Sequence, residues 1–134
     1  LKYPKLVADL DFDIGIAPVI DSAFNRGKSN LKWLEYSALG IPTVASNVGH
    51  YAETLRHGVA GYLCGDDNEF GLALDVLICD RKRRNAMGAA ANARVRKDFN
   101  IDNTTAGYVA SLREVIDRKS KSGLAVDSAV EATA

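Results

Sequence analysis

Apolar residues recur along this chain in short bursts, and the spacing within each burst follows one of two periods. Tyr3, Leu6, Val7 and Leu10 fall at helical spacing and predict the end of a helix. Asp13-Ile14-Gly15-Ile16-Ala17-Pro18 is dense in apolar residues and closed by proline, which predicts a strand. Val19 to Gly27 reads as loop. Leu31, Leu34, Ala38 and Leu39 then form one apolar helical face, with Ser29 or Asn30 as N-cap and Gly40 as the stop. Pro42 prevents the helix from resuming, and Thr43-Val44-Ala45 has the character of a buried strand.

The same reading continues along the chain. Ser46 to His50 is a second polar, glycine-bearing loop after a strand, followed by a short helix from Tyr51 to Arg56. Gly61 to Cys64 predicts a third strand, and Gly65 to Asn68 a turn that caps the next helix. Phe70, Leu72, Leu74, Val76, Leu77 and Ile78 give that helix a wide apolar surface, predicting that it is largely buried. Asp80 is a natural N-cap for a helix from Arg81 to Phe99. Asp102 caps another, from Asn103 to about Arg118, with Tyr108, Val109, Leu112, Val115 and Ile116 facing inward.

Strands alternating with helices predict a parallel α/β fold, because parallel strands need helical crossovers. A Rossmann-like sheet flanked by helices normally has more than three strands, and its ligands bind beyond the carboxyl ends. The chain also starts as if within a helix. The expectation is an incomplete domain over residues 1–118, its first strand carrying an open edge, then a flexible tail over 119–134 of small and polar residues.

Composition narrows the functional classes. Seventeen basic and seventeen acidic side chains cancel, so no global field draws the chain to nucleic acid. No apolar run approaches the roughly 20 residues that span a bilayer. Cys64 and Cys79 sit in apolar surroundings and form no CxxC, which predicts reduced core thiols in a cytoplasmic protein.

The candidate chemistry gathers at Asn25 to Ser46. A helix N-terminus after a flexible loop, flanked by Lys28 and Lys32, is suited to phosphate, because its first-turn N–H groups lack intrahelical partners. Lys28, Lys32 and Glu35 form a stripe beside the apolar face.

Three segments in order carry a family resemblance: DFDIGIAPV, LEYSALGIPTVAS and YAETLRHGVAGYLC. In the last, Glu53, Gly58, Gly61 and Leu63 match an E-x-x-x-x-G-x-x-G-x-L pattern. From Asp13 to Gly65 the chain resembles the donor-binding C-terminal domain of GT-B-fold retaining glycosyltransferases, those called glycosyl transferases group 1 or family 4. The resemblance implies transfer of a sugar from a nucleoside diphosphate sugar, with the acceptor, a glycan or lipid, held by a separate N-terminal domain. It implies that Glu35 holds the ribose hydroxyls and that the N–H groups of Ser29, Asn30 and Leu31 meet the diphosphate. Lys28 or Lys32 would add charge there, with Arg26 and His50 as further donor contacts. It implies no cofactor and no metal, and a fragment inactive alone. One departure stands out: the family motif has a second glutamate, near the transferred sugar, where this chain has Gly27. A GT-B nucleotide-sugar epimerase and a noncatalytic nucleotide-sugar-binding domain are therefore kept as alternatives.

Other patterns have plainer readings. Glu35 can simply pair with Lys32 on a solvated helix, worth about 0.2–0.5 kcal/mol. His50, Glu53 and His57 share a helical face but match no metal motif, and Glu53 is expected to accept N–H groups of its own loop. Arg81 to Arg84 reads as a solvated face without the aromatic platform that nucleic acid would want. The expected partners are a nucleotide sugar and an acceptor, and not nucleic acid. The expected location is the cytoplasm, with peripheral association at an inner membrane face.

Overall fold

The computed structural model describes residues 3–131, with side chains through residue 120. The first compact unit ends at Lys97. Its elements are α1 (Tyr3–Asp9), β1 (Gly15–Ala17), α2 (Ala23–Arg26), α3 (Leu31–Ala38), β2 (Thr43–Ser46), α4 (Gly49–Thr54), β3 (Tyr62–Cys64), α5 (Asp67–Cys79) and most of α6 (Arg81–Asp98). The three strands form a parallel sheet in the order β1-β2-β3, with Ile16 opposite Val44 and Ala45 opposite Leu63. The parallel α/β arrangement expected from the alternation is therefore present. β1 has no neighbour on its second edge among the described residues, and Ile16 is half exposed.

Two apolar cores flank the central strand. One gathers Trp33, Ala45, Tyr51, Leu55 and Ala91, and the other Val44, Cys64, Ala73, Leu77 and Met87. Adjacent residues of β2 thus serve opposite layers, as the pleat requires. Helix α6 reaches both cores, through Met87 and Ala91. Between them Gly88 lies so close to the turn before β2 that a Cβ there would sit 1.9 Å from the Gly40 carbonyl oxygen.

The helix starts follow their local chemistry. Asp66 caps α5 by accepting from the Glu69 N–H at 2.8 Å, while the Glu69 carboxylate takes the Gly65 N–H at 2.7 Å. Asp80 caps α6 through the Arg83 N–H at 2.9 Å. Gly40 ends α3 with φ +75°, a conformation glycine adopts without steric cost. On the outer edge of β3, the His57 Nδ1 lies 3.1 Å from both the Leu63 N–H nitrogen and its carbonyl oxygen. That ring covers backbone groups which would otherwise be open to another strand.

Several expectations are corrected. The α3 face is rotated: Trp33 and Ser37 are fully buried, whereas Leu31 is 54% and Leu39 39% exposed. The tryptophan has the largest apolar surface on that helix and takes the core position, and small Ser37 permits close approach one turn later. The Val19–Gly27 loop contains α2, because the Ser22 side chain accepts from the Asn25 N–H at 3.2 Å. The second loop is shorter than expected, since α4 begins at Gly49. Helix α5 buries only Ala73 and Leu77, leaving Leu72 and Ile78 exposed. Cys64 is buried as expected, and burial pushes its thiol pKa up, but Cys79 is exposed. Arg84 is not part of a solvated run: it donates to the Leu77 carbonyl at 2.8 Å and pairs with Asp13 at 3.0 Å.

The second unit, from Asp98 on, is built on one long helix, α7 (Ile101–Glu131). Asn100 caps it instead of Asp102, accepting from the Asn103 N–H at 2.8 Å. Tyr108, Val109, Leu112, Val115 and Ile116 are exposed. Their periodicity identified the helix but said nothing about what would cover it. The α7 backbone continues past Arg118 to Glu131, through the segment read as a tail, which contains no proline to break it.

Gly88→Ala tests the inter-helix approach. Alanine is the better helix former by about 1 kcal/mol, so helix propensity alone predicts stabilisation. The clash with Gly40 predicts instead a loss of roughly 1–3 kcal/mol, read as a lower urea midpoint with an unchanged slope.

Candidate functional site

Helix α3 follows β1 and so begins on the side where the strands present their carboxyl ends. Asn30 stands at its N-cap, as read from the sequence, but its side chain makes no capping bond. The backbone N–H groups of Ser29, Asn30 and Leu31 donate to no acceptor among the described residues. These are adjacent donors at the positive end of an eight-residue helix. Lys28 precedes them, exposed, with its ammonium 4.6 Å from the centroid of the Phe24 ring.

Farther along α3, Glu35 is held in a network. Its Oε2 accepts from Lys32 Nζ at 2.9 Å and from the Tyr3 hydroxyl at 3.2 Å, and Lys32 also donates to the Tyr3 oxygen at 2.9 Å. The Glu35 side chain is only 23% exposed, against 49% for Lys32. The hydrogen bonds to Tyr3 and then to Glu35 push the Lys32 pKa well up, so Lys32 remains charged through any physiological pH. Tyr51, on α4, lies near enough to feel these charges: burial raises its phenol pKa, the Lys32 charge lowers it, and Glu35 adds a smaller upward push.

The other residues put forward from the sequence are placed differently. Arg26 forms a two-pronged pair with Asp21, at 2.6 and 2.8 Å, which holds the Asp21 carboxyl below its usual range and raises the guanidinium. His50 pairs through Nδ1 with Glu53 at 3.0 Å, so Glu53 serves that ring and not the loop N–H groups expected of it. His57 is occupied at the β3 edge. Among the described residues no group of three His, Cys, Asp or Glu side chains could hold a metal ion. Sequence reasoning missed Tyr3 and Tyr51. Tyr3 lies 32 positions from Glu35, and no local motif signals such a contact.

A cleft of about 640 Å3 runs along the carboxyl ends of all three strands, lined by Val19, Asp21, Ser46, Asp66, Asp67 and Phe70 among others. None of the residues put forward from the sequence lines it. Its lining includes three aspartates and no basic side chain, so it is ill suited to a diphosphate. Ser46 ties the first two loops across it by accepting the Val19 N–H at 2.8 Å.

A parallel α/β domain with donor groups at the carboxyl ends of its strands defines a class of ligand-binding folds. Within that class the chain belongs to the glycosyl transferases group 1 family, whose profile matches residues 10–80. It is 30% identical over 92 residues to the N-acetyl-alpha-D-glucosaminyl L-malate synthase of Bacillus anthracis, covering 67% of this chain and 24% of that protein. The fold is similar to that of Anabaena HepE, a GT-B structure determined in complex with UDP and glucose. The TM-score is 0.59 at 21% identity, covering 83% of this chain and 30% of that one. The chain thus spans about a quarter of the curated relative's length.

The surroundings of Gly27, where the resemblance implied a glutamate, are open. The residue has φ −85°, and a Cβ there would meet only the Phe24 carbonyl oxygen, at an ordinary 3.6 Å. Gly27→Glu is therefore expected to fold normally, with a thermal midpoint equal to or slightly above that of the parent, by about 0.4–1 kcal/mol of stability. A marked fall in that midpoint would show that the loop requires glycine.

Proposed function

We propose that this chain is the donor-binding part of a retaining, family-4-like glycosyltransferase, in which the start of α3 holds the diphosphate of a nucleotide sugar and Glu35 its ribose. The observation that carries the reading is the run of free N–H donors at Ser29, Asn30 and Leu31, followed on the same helix by a carboxylate with one oxygen fixed. Oxyanions fit the first feature, and a vicinal diol, with two hydroxyl donors, fits the second. Lys28 adds a point charge to the diphosphate, while Lys32 acts mainly by fixing Glu35. HepE, with UDP and glucose, and the N-acetylglucosaminyl malate synthase relative support a nucleotide sugar as the ligand.

In this reading the bond between the sugar and the diphosphate breaks as an acceptor hydroxyl takes its place, and the protein offsets charge developing on the leaving phosphate. Neither a metal nor a cofactor is required. The acceptor and the remaining geometry come from a partner domain, and the whole serves glycan assembly in the cytoplasm, with a lipid or glycan acceptor at a membrane face. Gly27, standing where the family has a carboxylate, supports a second reading in which the domain binds nucleotide sugars without transferring them.

Calorimetric titration of UDP-, GDP- and ADP-sugars into the intact protein tests the site. One of them is expected to bind, and Glu35→Ala to weaken it roughly tenfold to hundredfold, the range for losing hydrogen bonds to a charged group. Binding undiminished in that variant would sink the assignment. Product analysis with the bound donor then separates transfer from binding alone.

A further inference from the structure

Resting on the donor-site reading above, we infer that Tyr3 is a positioning residue for nucleotide binding: its hydroxyl, bridging Lys32 and Glu35, aims the Glu35 carboxylate at the ribose diol. The three groups form a closed triangle. Lys32 Nζ donates to the Tyr3 oxygen at 2.9 Å, Tyr3 donates its single proton to Glu35 Oε2 at 3.2 Å, and Lys32 donates to the same Oε2 at 2.9 Å. Both donors converge on one oxygen. Glu35 Oε1 accepts no hydrogen bond among the described residues, so the network engages one carboxylate oxygen and leaves the other for a ligand.

The Lys32 ammonium alone is a poor orienting device, because it is compact and rotates freely on a flexible stem. Half of the Lys32 side chain is exposed, and an exposed i,i+3 pair contributes only a few tenths of a kcal/mol. The phenol supplies what the pair lacks, a third fixed point from a different helix. It also lies beside the lysine, whose ammonium is 5.5 Å from the Tyr3 ring centroid. A carboxylate restrained before binding loses less side-chain entropy when the diol arrives, which raises affinity without a new contact to the ligand.

The alternative role for the same contact is competition, in which the Tyr3 hydroxyl occupies a position the ribose needs. The two roles predict opposite signs. The probe is whichever of UDP, GDP and ADP binds the intact protein, together with its 2′,3′-dideoxy analogue, titrated calorimetrically into the parent, Tyr3→Phe and Glu35→Gln. Tyr3→Phe keeps the ring and removes only the hydroxyl, and Tyr3 is 48% exposed, so the variant is expected to fold; a thermal melt checks this. Positioning predicts that Tyr3→Phe weakens the nucleotide roughly three- to tenfold, the scale of one hydrogen bond, and that the dideoxy analogue shows no such loss.

An equal loss for both ligands would mean a structural role only, and tighter binding would mean competition. Either result, or no change, overturns the inference while the donor site stands, provided Glu35→Gln weakens the nucleotide. If Glu35→Gln binds as the parent does, or no nucleotide binds, the donor-site reading falls and this inference falls with it.

Discussion

The burial of Trp33 is the constraint on which the candidate site depends. The side chain is fully enclosed, and its indole N–H donates to the Ala60 carbonyl at 3.2 Å, so helix α3 cannot roll without losing both the packing and the bond. Truncating a buried tryptophan costs about 3–5 kcal/mol, a large fraction of a small domain's stability. Residues two apart on a helix point nearly opposite ways, so a fixed Trp33 sets the outward direction of Glu35. Tyr36 lies so close over β1 that a Cβ at Gly15 would meet its ring at 2.3 Å, and Ser37 is fully buried one turn beyond Trp33. From the far end, Asn92 on α6 donates to the Ser37 and Ala38 carbonyls at 3.0 and 2.8 Å, closing the helix C-terminus. A short helix pinned by Trp33, by Tyr36 and at its C-terminus is a firm platform for a carboxylate, which is what precise recognition needs.

The charges around that platform are mostly committed. Arg26 is engaged with Asp21, and Lys32 with Glu35 and Tyr3, whereas Lys28, near the α3 start, has no carboxylate partner among the described residues. Recognition of a diphosphate here would therefore rest on backbone N–H groups more than on salt bridges. Magnitudes agree: an exposed charge near a helix end gains about 0.3–1 kcal/mol from the dipole, whereas each hydrogen bond to a charged group contributes about 1.5–3 kcal/mol. Position, set by the burial of Trp33, outweighs net charge.

The sequence revealed the elements better than their faces. β2 was legible because proline, a β-branched run and an apolar context coincide at Pro42 to Ala45, and Asp80 as a cap and Gly65–Asn68 as a capping turn were legible because capping is local chemistry. The α3 face was misread because counting apolar residues at helical spacing gave each leucine equal weight, although one tryptophan decides which side goes inward. The exposed stripe of α7 failed for a related reason: periodicity reports amphipathicity, and a partner is a separate fact. Within the candidate site, Glu35 and the unbonded N–H groups lie in one continuous stretch, so a local reading can propose them together. Tyr3 could not be read this way, since its contact is made by tertiary packing alone.

The loop between β1 and α3 joins the two features at the carboxyl ends of the strands. Its first part, Pro18 to Asp21, lines the acidic cleft, and its last part, Lys28 to Asn30, leads into the donor groups of α3. Between them the Asp21–Arg26 pair staples the loop to itself, and the Arg26 backbone abuts Gly49, where a Cβ would sit 2.6 Å from the Arg26 oxygen. Gly49 also has φ +52°, so the start of α4 approaches the first loop only because that residue is glycine. On the proposed reading, a diphosphate at α3 sets its sugar beside this loop, with the acidic cleft at the loop's other end. The hydrogen bonds from Arg26 hold the Asp21 carboxyl below its ordinary range. On that reading, the burial of α3 is what holds the nucleotide-binding groups in place.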